Sequence, residues 1–228
     1  MEIDRVERAI AAAGFMALGA FHPTKDDGVP PLAGTTAVAT LVLIGNAGPA
    51  MWHRFEAERG GCTDPMDTWS RQTIGAIASA LRGGAYFPFD KPYLPFQRWA
   101  RRAGACQPSP LGMFIHPDFG LWHAYRGALG FATRLDLAPE DPAPRTAPCA
   151  SCIDKPCLST CPVGAFSNQG YDVPACVAHL QTDAGSDCME LGCRARRACP
   201  VGRSFHYAPA QAHFHMRAFL RAHTCDNG

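Results

Sequence analysis

The sequence predicts a mixed α/β (α+β) domain followed by a small cysteine-rich domain that is stabilised by bound metal. Three observations predict this fold class. Patterns typical of helices and strands alternate through residues 1–137, a proline-rich segment covers residues 138–148, and eight of the eleven cysteines lie between residues 149 and 199. A chain of 228 residues is long enough for one medium-sized domain and one small one.

The first domain is predicted from hydrophobic periodicity and from helix and turn signals. The predicted elements are helices at residues 3–13, 64–83 and 95–103, and strands at residues 36–45, 112–117 and 121–131, the last two joined by a turn at 118–120. Asp64 and Pro65 are typical of a helix N-terminus. A core stripe at helical spacing follows them, formed by Trp69, Ile74, Ile77 and Leu81.

Composition and charge exclude several classes of protein. The 47% apolar and 18% charged residues are typical of a globular chain. A formal net charge of +1 does not suit a dedicated nucleic-acid binder, which normally has a basic excess. The N-terminus is acidic where a signal peptide would be basic, and the longest apolar run, Ala37–Ile44, is far shorter than the roughly 20 residues that span a bilayer. We therefore expect a cytoplasmic protein with no nucleic-acid and no membrane partner.

The second half of the chain begins after a semi-rigid linker. Residues 138–148 contain four prolines and no large apolar side chain, which is typical of a domain boundary. Residues 149–205 form short turns between cysteines and contain too few large apolar residues for a sufficient core, so bound metal is expected to stabilise them. Within the C-terminal segment 206–228, a helix at about 209–223 is predicted to pack back on the body.

The cysteine spacing indicates iron–sulfur clusters rather than zinc or disulfides. Residues 149–162 read C-x2-C-x4-C-x3-C-P, close to the bacterial ferredoxin run C-x2-C-x2-C-x3-C-P. A two-residue gap aims two thiolates at one cluster, whereas the x3 gap turns the fourth cysteine towards a neighbouring cluster. Zinc modules favour two short cysteine pairs, and a reducing cytosol disfavours disulfides, so both remain the weaker alternatives.

The remaining cysteines suit a second cluster but are spaced irregularly. Cys176 stands alone, four residues separate Cys188 from Cys193, and Cys199 is followed by a second Cys-Pro pair. Eight thiolates suit two 4Fe–4S clusters with four ligands each. The alternative that stays open is a single cluster with four structural cysteines.

This arrangement resembles the cluster domain of epoxyqueuosine reductases and of other dicluster ferredoxin-like proteins. The resemblance implies a ligand set that crosses between the two halves of the domain. The first cluster would take Cys149, Cys152, Cys157 and Cys199. The second cluster would take Cys161, Cys176, Cys188 and Cys193.

The first domain resembles CblC-type cobalamin-processing proteins. The segment "FIHPDFGLWHAYRGAL" (114–129) carries the likeness, with "GAFHP" (19–23), "ATLVLIGNAGPAMWHRF" (39–55) and "DPMD" (64–67) in the same order. The resemblance implies a nitroreductase-like fold with a central sheet and a corrinoid or flavin pocket. His116, His123 and Arg126 are the candidate cofactor-binding residues. Alternatives are a structural His-Pro turn at His116 and an ion pair between Arg126 and a carboxylate such as Asp118.

Four arginines flank the last cysteines and have two interpretations. Arg194, Arg196, Arg197 and Arg203 form either a functional surface, which would dock an acidic redox partner or raise the cluster potential, or an ordinary solvated helical face.

The sequence therefore predicts an electron-transfer protein that carries two 4Fe–4S clusters and serves a redox partner protein. One alternative is an iron–sulfur oxidoreductase whose clusters reduce a corrinoid (cobalamin) or flavin in the first domain. Another is a non-catalytic binding module with structural clusters. The sequence leaves open whether the protein is an enzyme, and it identifies no catalytic residue.

Overall fold

A computed structural model describes residues 2–104, 106–137 and 147–224. Its helices are α1 Ile3–Ala12, α2 Ala50–Glu58, α3 Pro65–Ala80, α4 Phe96–Arg102, α5 Pro148–Ser151, α6 Pro156–Ser159, α7 Val173–Leu180, α8 Ser186–Leu191, α9 Arg194–Arg197 and α10 Pro209–Thr224. Its strands are β1 Met16–Phe21, β2 Thr40–Ala47, β3 Gly84–Tyr86, β4 Gln107–Pro108, β5 Phe114–Ile115, β6 His123–Phe131, β7 Phe166–Ser167 and β8 Gly170–Tyr171.

The chain divides into two compact units. The first, unit N, comprises Met1–Cys106 and His123–Pro144, and the second, unit C, comprises Gln107–Trp122 and Arg145–Gly228. The segment Gln107–Trp122 therefore belongs with the cysteine-rich unit, although it precedes the predicted linker in sequence. Most of that linker, residues 138–146, lies outside the described residues.

Unit N is built around a four-stranded antiparallel sheet. The strand order is β1-β2-β6-β3, and β2 pairs with β6 along its whole length, from Thr40 opposite Phe131 to Ala47 opposite His123. All eight residues of β2 are buried, which explains its continuous apolar sequence. The register shifts between Ile44 and Gly45. A Cβ at Gly45 would lie 2.0 Å from the Ala124 carbonyl oxygen, so only glycine fits at this irregularity.

Helices pack against this sheet as their sequence patterns predict. Helix α1 buries Val6 and Ile10, and helix α3 begins at the predicted Asp64-Pro65 boundary. The four side chains of the α3 stripe are all buried, at 8% exposure or less. Helix α4 is anchored by Trp99, whose indole N–H donates to the Asp27 carbonyl oxygen at 2.8 Å. The prediction of a mixed α/β domain is confirmed.

Unit C consists of short elements around a small core. One core cluster consists of Leu111, Ile115, Leu121, Ala195 and Cys199, and a second consists of Trp122, Tyr207 and Ala212. Helix α10 packs on α7 and α8. Two hairpins, β4–β5 and β7–β8, complete the unit.

The two strands predicted at 112–117 and 121–131 lie in different sheets. Strand β5 pairs with β4 in unit C, whereas β6 is a central strand of unit N. The turn between them is closed by backbone hydrogen bonds between His116 and Gly120. Gly120 has a φ of 57°, a left-handed backbone conformation that favours glycine. The pairing between His116 and Gly120 is a single isolated bridge.

Among the described residues, the structure contains no helix with the length and apolar character that a bilayer span requires.

Candidate functional site

The eight clustered cysteines of unit C form two groups of four. We call Cys149, Cys152, Cys157 and Cys199 the first thiol group, and Cys161, Cys176, Cys188 and Cys193 the second thiol group. Burial raises the pKa of the Cys149 thiol, and the other three members of its group raise it further because like charges repel. Burial also raises the pKa of the Cys199 thiol, and the like charge of the nearby Cys152 raises it further.

The second thiol group lines a single cavity of about 440 Å³. All four of its thiols face this space, together with an apolar wall that includes Leu111, Phe166 and Phe219. Burial raises the pKa of the Cys193 thiol, and the like charges of Cys188 and Cys176 act in the same direction. The cavity thus brings four cysteines to one space.

The two groups exchange one member each along the chain. Cys161 belongs to the first cysteine motif but lies with the second thiol group, whereas Cys199 comes from the end of the domain and lies with the first. The resemblance to dicluster proteins implied the same partition. That these thiols are cluster ligands stays a prediction.

Short helices with proline near their start carry three of the eight thiols. Cys149 and Cys157 lie on α5 and α6, each of which has proline in its first turn. Proline is suited to that position because its missing N–H would be unpaired there in any case. Cys176 lies on α7, where the Asp172 carboxylate caps the helix by accepting from the Ala175 amide at 3.0 Å.

Backbone amides point at the sulfur atoms of both groups. The Ala165 amide donates to Cys161 Sγ at 3.4 Å. The Ala195 and Arg196 amides hydrogen-bond Cys193, and the Val201 amide hydrogen-bonds Cys199. Such donors favour the thiolate form and are the hydrogen bonds that tune iron–sulfur clusters. The donor set therefore fits iron–sulfur clusters.

A lone metal ion fits these thiols less well. In the described part of the chain, no three His, Cys, Asp or Glu side chains form a group that could hold a single ion. Zinc–sulfur bonds of about 2.3 Å would bring four thiolates within about 3.8 Å of one another. A cluster of several irons spans a wider site, so four thiols that share one cavity still suit it.

Two side chains at the second thiol group were not identified from the sequence. The Tyr171 hydroxyl hydrogen-bonds the Cys176 thiol, and the His179 ring lines the same cavity. His179 follows Cys176 by three residues on helix α7, which places both on one helix face. The three-residue spacing from Cys176 was the sequence signal that could have identified His179. No such signal pointed to Tyr171, because its position depends on the β7–β8 hairpin.

The four arginines do not behave alike. Arg196 donates two hydrogen bonds to the Leu121 carbonyl oxygen, at 3.0 and 2.6 Å, and its guanidinium lies 4.3 Å from the Trp122 ring centroid. It is therefore a packing residue of unit C and not part of a solvated face. Arg194 and Arg197 both pair with Asp187, and Arg203 is exposed beside Cys199.

His116, one of the predicted cofactor residues, has a structural role in unit C. It is buried, and its Nδ1 accepts hydrogen bonds from the Asp118 and Phe119 amides at 3.0 and 3.3 Å. The ring also stacks on Phe119 at a centroid distance of 4.3 Å. These contacts are those of a structural His-Pro turn, and a cofactor role for His116 stays a prediction.

His123 and Arg126 lie on β6 in unit N, each beside other polar side chains. His123 Nε2 is 3.3 Å from Cys106 Sγ, which is also 3.1 Å from the Tyr125 hydroxyl. Burial raises the pKa of the Cys106 thiol, so it stays protonated near neutral pH.

The Arg126 side chain lies beside an amide and a carboxyl group. Its Nε donates to Asn46 Oδ1 at 3.4 Å. Burial raises the pKa of Asp67, and the charge of Arg126 opposes that shift. Arg126 thus lies near the half-buried carboxyl group of Asp67 in unit N. A role of His123 and Arg126 in cofactor binding stays a prediction.

Comparisons with known proteins show a likeness of fold. No known family matches the chain, and no curated protein matches it. An epoxyqueuosine reductase, solved as the selenomethionine-labelled protein, matches at a TM-score of 0.52 with 13% identity and covers 92% of this chain and 68% of its own. An epoxyqueuosine reductase bound to an epoxyqueuosine-modified tRNA-Tyr stem loop matches at a TM-score of 0.52 with 14% identity. That match covers 90% of this chain and 66% of the reductase chain.

A third solved structure matches along nearly the whole length of both chains. The B12-trafficking protein CblC of C. elegans matches at a TM-score of 0.50 with 15% identity, over 96% of each chain. The chain spans about two thirds of the length of the epoxyqueuosine reductases. The chain's resemblance in fold to epoxyqueuosine reductases and to CblC is thereby confirmed. That unit C is a dicluster ferredoxin-like domain stays a prediction.

Proposed function

We propose that this protein is an iron–sulfur electron-transfer protein with two 4Fe–4S clusters. The observation that carries the proposal is the division of eight thiols into two groups of four that exchange Cys161 and Cys199. Four thiolates are the ordinary ligand set of one such cluster. Among the described residues, no three His, Cys, Asp or Glu side chains form a group that could hold a single ion, which disfavours structural zinc.

The residues around each thiol group suit one-electron transfer. When bound, each cluster supplies a centre that gains or loses one electron at a potential set by its surroundings. The thiolates hold it, the amides of Ala165 and Val201 hydrogen-bond the sulfur atoms, and the apolar wall of the second cavity excludes water.

A redox partner protein is proposed to dock beside the thiol groups. Exposed large apolar side chains are concentrated there: Ile153 lies between Cys152 and Cys157, and Val163 lies two residues after Cys161. Ile153 is 93% exposed. A small exposed apolar surface suits the weak, short-lived complexes of electron transfer. Because free thiols persist in reducing compartments, the proposed location is the cytoplasm.

The first test measures metal directly. Protein purified without oxygen is expected to be brown and to contain about eight iron and eight sulfide ions per chain. Dithionite is expected to reduce it to a state with electron paramagnetic resonance signals from two clusters. Zinc without iron would contradict the proposal. Bound clusters that dithionite does not reduce would favour the binding module with structural clusters.

A second candidate function is reduction of a corrinoid held by unit N. The fold shared with a B12-trafficking protein supports it, as does the polar group formed by Cys106, His123 and Tyr125 on and beside β6. Flavin is the alternative occupant.

The second candidate is tested by adding hydroxocobalamin to cluster-loaded protein under argon. If unit N binds the corrinoid, the visible spectrum is expected to change to that of a base-off form, and His123→Ala is expected to weaken binding at least tenfold. The exposed-thiol variant Cys62→Ser should bind like the parent protein. An unchanged spectrum would exclude the corrinoid and leave the electron-carrier proposal intact; riboflavin phosphate is then the next probe.

A further inference from the structure

The cavity of the second thiol group contains two side-chain hydrogen-bond donors. We propose that Tyr171 and His179 donate hydrogen bonds to the cluster at the second thiol group and raise its reduction potential without affecting the first cluster. This inference rests on the proposed function, since it concerns the potential of a bound cluster.

The Tyr171 hydroxyl is held in place by ring stacking. The ring lies 4.7 Å from the Phe166 ring with an interplanar angle of 12°, and 6.3 Å from the Phe219 ring at 26°. It stands at the end of the β7–β8 hairpin, where Gly170 has a φ of 119° that permits the tight turn. Because the ring is fixed, its hydroxyl stays directed at the Cys176 sulfur, with which it hydrogen-bonds.

His179 has a ring nitrogen that lacks an acceptor. Its Nε2 is buried and has no hydrogen-bond partner among the residues that the structure describes. The ring lines the cavity beside the four thiols. A buried donor without an acceptor is costly, and a sulfide or thiolate of a bound cluster would accept from it. In the tautomer that carries its proton on Nε2, the ring can therefore donate to a cluster bound in this cavity.

Hydrogen-bond donors raise a cluster's potential for an electrostatic reason. Reduction adds one negative charge to the cluster, so a donor stabilises the reduced state more than the oxidised state. Different charges lie near the two groups. Lys155 lies near Cys149 and Arg203 near Cys199 in the first group, whereas Arg194 and Arg196 line the cavity of the second. The two clusters can therefore be tuned by different residues.

The experiment compares Tyr171→Phe and His179→Leu in the full-length, cluster-loaded protein. Redox titrations are followed by electron paramagnetic resonance, which reports each cluster separately. At the wild-type midpoint of the affected cluster, each variant is expected to lower the reduced-to-oxidised ratio about five- to tenfold, where tenfold corresponds to 59 mV for one electron. Tyr171→Phe keeps the stacked ring and removes only the hydroxyl, and His179→Gln keeps an N–H donor and should retain most of the wild-type potential.

Lys155→Met supplies the reciprocal control. It removes a charge beside the first thiol group, so it should lower the potential of the first cluster and leave that of the second unchanged. Wild-type protein without two reducible clusters would overturn both the proposed function and this inference. Two reducible clusters with unchanged potentials in Tyr171→Phe and His179→Leu would overturn the inference alone. Equal shifts in both clusters would overturn the selectivity. If His179→Leu fails to hold iron, Tyr171→Phe and His179→Gln still decide the outcome.

Discussion

Anaerobically purified Cys199→Ser protein is expected to lose most of the iron of both clusters, leaving less than about two iron ions per chain. Serine removes a soft thiolate from the first thiol group only. If the two clusters assembled independently, half of the iron would remain. We expect the larger loss because the structure couples the two groups through one small core.

The coupling follows from how the thiols pack. Cys199 is itself a buried member of the unit C core, beside Leu121 and Ala195. Half-buried thiols from both groups pack against that same core: Cys149, Cys157, Cys161 and Cys193. Even with the second core cluster of Trp122, Tyr207 and Ala212, this core is small, so we expect the free energy of binding the proposed clusters to contribute to folding. Loss of the first cluster is then expected to loosen the thiols of the second group.

The measurement is iron and sulfide per chain, with far-ultraviolet circular dichroism to follow the helices of unit C. Cys157→Ser removes another ligand of the first thiol group and should give the same loss. Cys62→Ser is the matched control, because Cys62 is an exposed thiol in unit N and belongs to neither group. Retention of half the iron, with one cluster's resonance signal intact, would show that the clusters assemble independently.

Local signals in the sequence predict much of unit N. The Asp64-Pro65 start and the apolar stripe specify helix α3 because capping and helical periodicity act within a few residues. The buried run in β2 is specified in the same way, although its observed bounds lie farther along the chain than predicted. Cysteine spacing likewise indicated clusters, because the loop between two ligands must fit the cluster.

Long-range features were not available from local patterns. Strand β6 joins the sheet of unit N by pairing with β2, which is distant in sequence, whereas β5 pairs with the nearby β4, so the position of β6 could not be read from local patterns. Arg196 resembles a surface arginine until the fold places the Leu121 carbonyl and the Trp122 ring against it. Tyr171 and His179 became candidates only once the cavity was seen, since neither belongs to a ligand motif.

Gly202→Ala is expected to destabilise unit C far more than Gly164→Ala, although the two glycines occupy equivalent positions. Each ends a Cys-Pro-Val-Gly sequence, after Cys161 and after Cys199 respectively. Both have positive φ, 58° at Gly164 and 73° at Gly202. Alanine in this left-handed conformation costs about 1 kcal/mol at either site.

The surroundings of the two glycines differ. A Cβ at Gly164 would meet no atom within 4 Å, whereas at Gly202 it would lie 2.3 Å from the carbonyl carbon and oxygen of Phe119. A Cβ at the neighbouring Gly120 would in turn lie 2.1 Å from the Val201 carbonyl oxygen. These are backbone contacts that no rotamer change relieves, so Gly202→Ala must displace the loop that follows Cys199.

The displacement is expected to reach Cys199 of the first thiol group, because the Val201 amide that hydrogen-bonds Cys199 lies in that loop. Heating cluster-loaded protein under argon while recording the cluster's visible absorbance measures the effect. For a unit of about 100 residues, 1 kcal/mol lowers the midpoint by roughly 4–8 °C. We expect a shift of about that size in Gly164→Ala and more than about 12 °C in Gly202→Ala, with iron lost first from the first cluster. Equal shifts in the two variants would show that backbone conformation alone sets the cost and that the Phe119 contact is looser than the structure has it.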